Sequence, residues 1–225
     1  MKNIIRAQYR AAIKDNCEGS SLTEGFELCR TILEGKKSVG ELYTAGIFRY
    51  NDMLFLYLEL IVTGDAPRPR LRGLADEWLG TIASCLKSWP EMGGDLHWAY
   101  MTPVFWFDVP KGLDSYARTV PPDQRCGRIA RLYDDKVMSY ICHHQAITAE
   151  GLLTGDRYQF ISIHENILFS YFETPREREQ VNILRRVGRS QEMERWSAAD
   201  PDSHFQRFNE APNDNFMIID TIFSL

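Results

Sequence analysis

No two of the five cysteines form a CxxC pair. Cys17, Cys29, Cys85, Cys126 and Cys142 are widely spaced and odd in number. That pattern excludes zinc ribbons and CxxC redox motifs, and it leads to the expectation of reduced thiols in a cytoplasmic protein. The opening MKNIIRAQYR has no apolar core of a signal peptide. The longest strongly apolar run, MLFLYLELIV, is ten residues, about half of what a bilayer span requires, so no membrane partner is expected. Excess positive charge is also missing: 26 basic residues face 31 acidic ones, a formal net charge of −5. No nucleic-acid partner is therefore expected. The densest basic run, REREQVNILRRVGR (176–189), also holds Glu177 and Glu179 and reads as a solvated helix face. There is no P-loop, no GxGxxG and no GxSxG, and no HxxxH or HExxH zinc spacing, which leaves the expectation of no metal and no cofactor.

What the chain does have is a repeat. IFRYNDMLFLYLE (47–59) lies over ISIHENILFSYFE (161–173) without gaps, and five of 13 positions are identical. Chance at average composition gives about one. Each copy reads as a hairpin: a strand, a short polar turn (Asn51-Asp52; Glu165-Asn166), then a second strand rich in aromatic residues. Upstream of each lies a helical pattern. SSLTEGFELCRTILEGKK suggests a Ser20 or Ser21 cap and an end near Gly35. DDKVMSYICHHQAITAEGLLTG suggests an Asp134 or Asp135 cap and an end near Gly151 or Gly155. Downstream, helical stretches are expected over 71–92 and, broken near Pro201, over 181–212. Strands follow at 98–109 and 216–225, and others precede at 3–13 and 127–133.

The order is β-α-β-β-α-β twice, the ferredoxin-like motif. The fold class expected is α+β, with tandem ferredoxin-like repeats forming an intrachain pseudo-dimer like a dimeric α/β barrel. Residues 1–110 form one half-barrel (a degenerate copy), 111–126 a linker and 127–225 the other half-barrel. A bare aromatic sheet face needs covering, and a second copy is the simplest cover. A chain that carries both halves is expected to be a monomer.

The stretch that suggests chemistry is YICHHQAI (140–147). Tyr140 and His144 are i and i+4, so a helix sets them on one face, where a phenol and an imidazole can serve as proton donor and acceptor. The competing reading of the same spacing is core packing. His143 is adjacent to His144 and points about 100° away, which suits a shared metal poorly. Glu59 and Glu173, the equivalent repeat residues, read as strand-end carboxylates open to water.

Tyr140-Ile-Cys-His-His144-Gln-Ala-Ile147, YQFISIHENILF (158–169), Glu194-Arg195-Trp196 and Gln206-Arg207-Phe208-Asn209 follow in that order. In order and spacing they resemble the L-rhamnose mutarotase family, small ferredoxin-like proteins that pair into dimeric α/β barrels. The resemblance covers residues 127–225. It implies Tyr140 and His144 as catalytic acid/base groups at a sugar's anomeric centre. It implies a substrate-binding set of His143, Tyr158 (or Gln159), Phe208, Asn209, Trp196 and, from the first half, Trp89. Phe208 and Asn209 stand where that family has a tandem tryptophan pair that stacks on the sugar, a departure that weakens the platform. The expectation is thus a cofactor-independent mutarotase-like enzyme acting on a monosaccharide such as L-rhamnose. Two alternatives stay open: a non-catalytic small-molecule binding protein on the same scaffold, and a monooxygenase or haem-handling relative using His144 or His164.

Overall fold

A computed structural model describes the whole chain except residues 1, 18, 65–67, 90–92, 94–95, 177, 179 and 185–186. The chain divides into two compact units. The first comprises Met1–Met101, Pro110–Thr119 and Asp220–Leu225. The second comprises Thr102–Val109 and Val120–Ile219.

In the first unit β1 (Lys2–Ala12) leads to α1 (Ser20–Ser38), then the hairpin β2 (Leu42–Tyr50) and β3 (Met53–Thr63). The six-residue α2 (Leu74–Leu79) runs into a 3-10 segment (Gly80–Cys85), and β4 (Ala99–Tyr100) closes the series. The strands are antiparallel in the order β4-β1-β3-β2. Leu54, Leu56, Leu58 and Leu60 alternate along β3 and share one core with Ala7, Tyr9 and Ala11 of β1. Leu22, Phe26, Cys29 and Leu33 of α1 belong to the same core. Phe55, Tyr57 and Glu59, on the opposite face of β3, are fully buried too. A strand buried on both faces explains why MLFLYLELIV shows no polar alternation.

Two expectations about this unit need correction. The first residue of α1 is Ser20, preceded by Gly19 at φ 68, and no serine side chain caps it. The helix also runs past Gly35 to Ser38. The second helix is far shorter than 71–92, because its tail is tied to β1: Ile13 bridges Leu86, and Cys17 is disulfide-bonded to Cys85. That disulfide overturns the expectation of five reduced thiols; Cys29, Cys126 and Cys142 remain free. With it goes the thiol argument for the cytoplasm. Among the described residues no helix is long and apolar enough to cross a membrane.

The segment 110–119 carries the short α3 (Leu113–Tyr116). The second unit takes β5 (Thr102–Trp106), β6 (Gln124–Arg131) and, after a 3-10 turn at Asp134–Lys136, α4 (Val137–Glu150). β7 (Leu153–Thr154) precedes the hairpin β8 (Phe160–His164) and β9 (Ile167–Thr174). Then come β10 (Asn182–Ile183), α5 (Gln191–Ala198), a 3-10 turn (Pro201–His204) and β11 (Met217–Ser224). β6, β9, β8 and β5 are antiparallel neighbours in that order, with Met217–Ile219 of β11 beside β6. Asp220–Ser224, the rest of β11, pairs with β2 in the first unit.

The stretch 98–109 is therefore not one strand. It breaks at Met101: β4 pairs with β1, whereas β5 pairs with β8. Pro103 has no amide hydrogen to donate and sits on an edge strand, where that is tolerated. The basic run 176–189 is not a helix either. Its described residues include β10, which pairs with β7, and Gly188 at φ 71; residues 177, 179, 185 and 186 lie outside the described residues. Helix begins only at Gln191, where the Ser190 hydroxyl accepts from the Met193 amide at 3.1 Å. The α+β class and the tandem ferredoxin-like repeat stand as read: each half supplies β-α-β-β-α-β, and both hairpin turns place a non-glycine residue at positive φ, Asn51 at 52° and Glu165 at 54°.

Candidate functional site

α4 fixes the geometry of the second unit. The Asp134–Lys136 turn feeds it without a side-chain cap from either aspartate, and Gly151, left-handed at φ 66, stops it. Tyr140 and His144 do share a face, and their rings are stacked, with centroids 3.8 Å apart and planes 19° from parallel. His144 Nδ1 donates to the Tyr140 carbonyl at 3.0 Å, which fixes its proton there. Phe105 meets the His144 ring at 5.6 Å and Trp196 of α5 meets it at 4.8 Å. Tyr140 is 1% exposed and also edges against Trp196 and Phe205.

This packing sets the chemistry of the pair. Burial pushes the Tyr140 phenol well above its ordinary range. Burial also pulls His144 down to about 4, against a partial lift from its bond to the Tyr140 carbonyl; the charges of His143 and His204 lower it further. An acid that weak and a base that weak are both far from the pKa near 7 that proton transfer favours.

The remaining expected residues fall in several places. His143 and Trp196 are 5.4 Å apart and belong to the same cluster. Phe208 is buried beneath the Arg131 guanidinium at 5.0 Å, and Asn209 is exposed. Tyr158 is half-buried, its amide donating to Asp156 Oδ1 at 3.1 Å, and Gln159 is buried. Trp89 belongs to the first unit, where its indole N–H donates to the His97 carbonyl at 3.0 Å and Arg10 lies over its ring. Sequence reasoning passed over His204, which is buried against Trp196 at 4.7 Å and faces the Ser139 hydroxyl at 2.9 Å. Glu59 and Glu173 are not open to water as expected. They are 0% and 2% exposed, and each accepts a hydrogen bond at 2.6 Å from the tyrosine two residues before it.

A cationic region lies on the same face of the second unit's sheet. Arg128 shares its strand face with Ala130 and Leu132, by the two-residue period of β6. Its guanidinium is over Phe216 at 4.7 Å and Phe172 at 5.3 Å, and its Nε donates to the Ser170 hydroxyl at 3.2 Å. Arg176 lies over the same Phe172 ring at 4.4 Å. Burial first, and the Arg176 charge second, lower Arg128 to about 10, so it stays protonated at neutral pH. Neither arginine has an ion-pair partner among the described residues, whereas Arg125 has Glu173 at 3.6 Å and Arg157 has Asp108 at 3.9 Å. The sequence did hold a signal for this: a charged residue in register with the core positions of a strand.

Farther along, a space of about 180 Å³ is lined by Phe107, Asp108, Leu153, Thr154, Gly155, Arg157 and Arg178. Gly155 keeps it in shape, since a Cβ there would meet the Phe107 ring at 2.6 Å. Among the described residues no group of three or more His, Cys, Asp or Glu could hold a metal ion. The residues do not fit a haem at His144, whose ring is stacked on Tyr140 and edged by Phe105 and Trp196. His164 ends β8 beside the hairpin turn and is half-buried.

No family model and no curated protein matches the chain. Similar solved structures include a protein from Lactobacillus acidophilus provisionally named a monooxygenase, at 8% identity and TM-score 0.40, covering 99% of this chain and 94% of that one. A second, provisionally named a chlorite dismutase, has 10% identity and TM-score 0.41 over 98% and 95%. A third is a haem-binding protein from Thermus thermophilus, with 12% identity and TM-score 0.35 over 99% and 93%. None of these is named a mutarotase. The mutarotase reading is corrected on the packing of its catalytic pair: Tyr140 is 1% exposed and its ring is stacked on that of His144.

Proposed function

We propose that this chain is a non-catalytic small-molecule binding protein whose ligand is taken up by the second unit. The observation that carries this reading is the open space of about 180 Å³ lined by Arg157 and Arg178, joined through Phe107 and Phe105 to the aromatic cluster around His144. That volume is below the roughly 300–1,000 Å³ usual for ligand pockets, which points to a small molecule. Its lining pairs apolar surface from Phe107 and Leu153 with the Thr154 hydroxyl and charged groups, the mixture that orients a small polar ligand.

The test is a thermal-melt screen of the full chain against small acids, amines and sugars, followed by product analysis of each ligand that binds. A ligand at a hundred times its dissociation constant stabilises by about 2.7 kcal/mol. A clear rise in melting midpoint with the ligand recovered unchanged supports the reading. A ligand that is chemically converted, or a screen with no shift at all, overturns it.

A further inference from the structure

We infer that the second unit carries an anion site at Arg128 and Arg176, and that it takes an organic carboxylate with an apolar body. Neither arginine lines the space edged by Arg157 and Arg178, so this site goes beyond the binding reading above. Its basis is a charge arrangement that the protein leaves uncompensated. Two guanidinium groups lie against one ring, Phe172, at 5.3 and 4.4 Å, and no carboxylate stands within ion-pair distance of either among the described residues. Arg128 is further held by Phe216 at 4.7 Å and by its bond to Ser170 at 3.2 Å. Burying a charge without a counter-charge is costly, and a like charge beside it adds to the cost. Asp156 acts on Arg128 only at a distance. A bound carboxylate relieves both costs, and the forked guanidinium geometry suits it: two parallel N–H···O bonds to one planar group.

The apolar body is indicated by what adjoins the charges. Ile218 pairs directly with Arg128 across the β11–β6 ladder and is 68% exposed, a large apolar side chain left open on the sheet. Phe216, half-buried, lies two residues before it. Together they offer an apolar shelf beside the two cations. A bare inorganic anion would leave that shelf unused.

The experiment measures benzoate and octanoate binding to the full chain by calorimetry, with benzyl alcohol and inorganic phosphate at matched ionic strength as controls. The same titrations are made on Arg176→Gln and Arg128→Gln. Arg176 is half-exposed, so its variant keeps the test available if Arg128→Gln does not fold. The expected result is binding of at least one carboxylate, loss of at least tenfold in affinity in each folded variant, and no binding of benzyl alcohol. Carboxylate affinity unchanged in Arg176→Gln overturns the inference, and so does phosphate binding as tightly as benzoate, or no carboxylate binding at all. If other ligands from the melt screen still bind, the binding reading survives the loss of this site. If a bound carboxylate is chemically converted, the site stands and the non-catalytic reading falls.

Discussion

Arg118 reaches back 59 residues to grip both carboxylate oxygens of Glu59, at 2.5 and 2.8 Å. Glu59 also accepts from Tyr57 at 2.6 Å and Tyr116 at 3.3 Å, and the Arg118 amide donates to the Tyr43 hydroxyl at 3.1 Å. The Glu59 side chain is 0% exposed and that of Arg118 6%. The pair fastens the 110–119 segment to β3 within the first unit. Its counterpart in the other repeat, Glu173, has the tyrosine bond and an ion pair with Arg125 at 3.6 Å. The two copies have kept the carboxylate and changed the cation.

Breaking this pair from one side is expected to be expensive. Arg118→Met strands a buried carboxylate and should lower unfolding stability by about 3–5 kcal/mol. Adding Glu59→Gln to it should recover part of that loss, because the uncompensated charge is gone. Urea unfolding of both single variants and the double variant gives the coupling energy. A coupling below about 1 kcal/mol would mean the segment is held by its packing alone.

His144 gives the protein an acid sensitivity whose sign follows from its burial. In the folded chain it stays neutral down to about pH 4; its ordinary value, and so its value unfolded, is 6.5. Between those values the unfolded chain binds more protons, so stability rises with pH. The contribution is complete above about pH 6.5 and is lost as pH falls toward 4. From pH 7 to 5 the loss should be about 1–2 kcal/mol. His144→Phe keeps a ring against Tyr140 and removes the titration, so its stability should fall less over the same interval. Parallel pH slopes for the two proteins would show that His144 is not desolvated.

Which parts of this were legible in the sequence follows from which interactions are local. The hairpins were legible because each satisfies its own geometry within a short span; the Tyr-x-Glu bonds at 57–59 and 171–173 were not, since both carboxylates read as open to water. The i and i+4 placement of Tyr140 and His144 was legible because it too is local. Whether that face meets a cavity or a core depends on Trp196 and Phe205, far along the chain, and no local pattern reports it. The break at Met101 was hidden because β5 finds its partner in β8, well downstream. Arg176 reads as part of a solvated run until the fold sets it over Phe172.

The hairpin turn of the second repeat is a place where the natural residue is not the most stable one. Glu165 adopts φ 54, a left-handed conformation that costs a residue with a Cβ about 1 kcal/mol and costs glycine nothing comparable. His164 and Ile167, which flank the turn, pair with each other and are already fixed in register. Glu165→Gly should therefore stabilise the chain by about 0.5 kcal/mol, after the extra entropy of glycine in the unfolded state is subtracted. Asn51, at φ 52 in the equivalent turn, already has the next most tolerant side chain, so Asn51→Gly should gain less. Equal gains at both positions, read from thermal melts, would contradict this ranking.

The Cys17–Cys85 bond joins positions 68 residues apart, and on the chain-entropy account a loop of that length contributes about 4 kcal/mol. That is a large share of the roughly 5–15 kcal/mol typical of a folded domain. Three thiols, not five, should therefore react in the denatured, unreduced protein: Cys29, Cys126 and Cys142. Adding a reductant should lower the melting midpoint of the natural chain. Cys17→Ser with Cys85→Ser should melt at that lower midpoint whether or not reductant is present. The bond ties the 3-10 segment beside α2 to the loop after β1, so the loss should appear as faster amide exchange around Ile82 and Leu86 before global unfolding. Five reactive thiols, or a double variant as stable as the natural chain, would show that Ile13, Leu86 and their neighbours hold this corner without the covalent link.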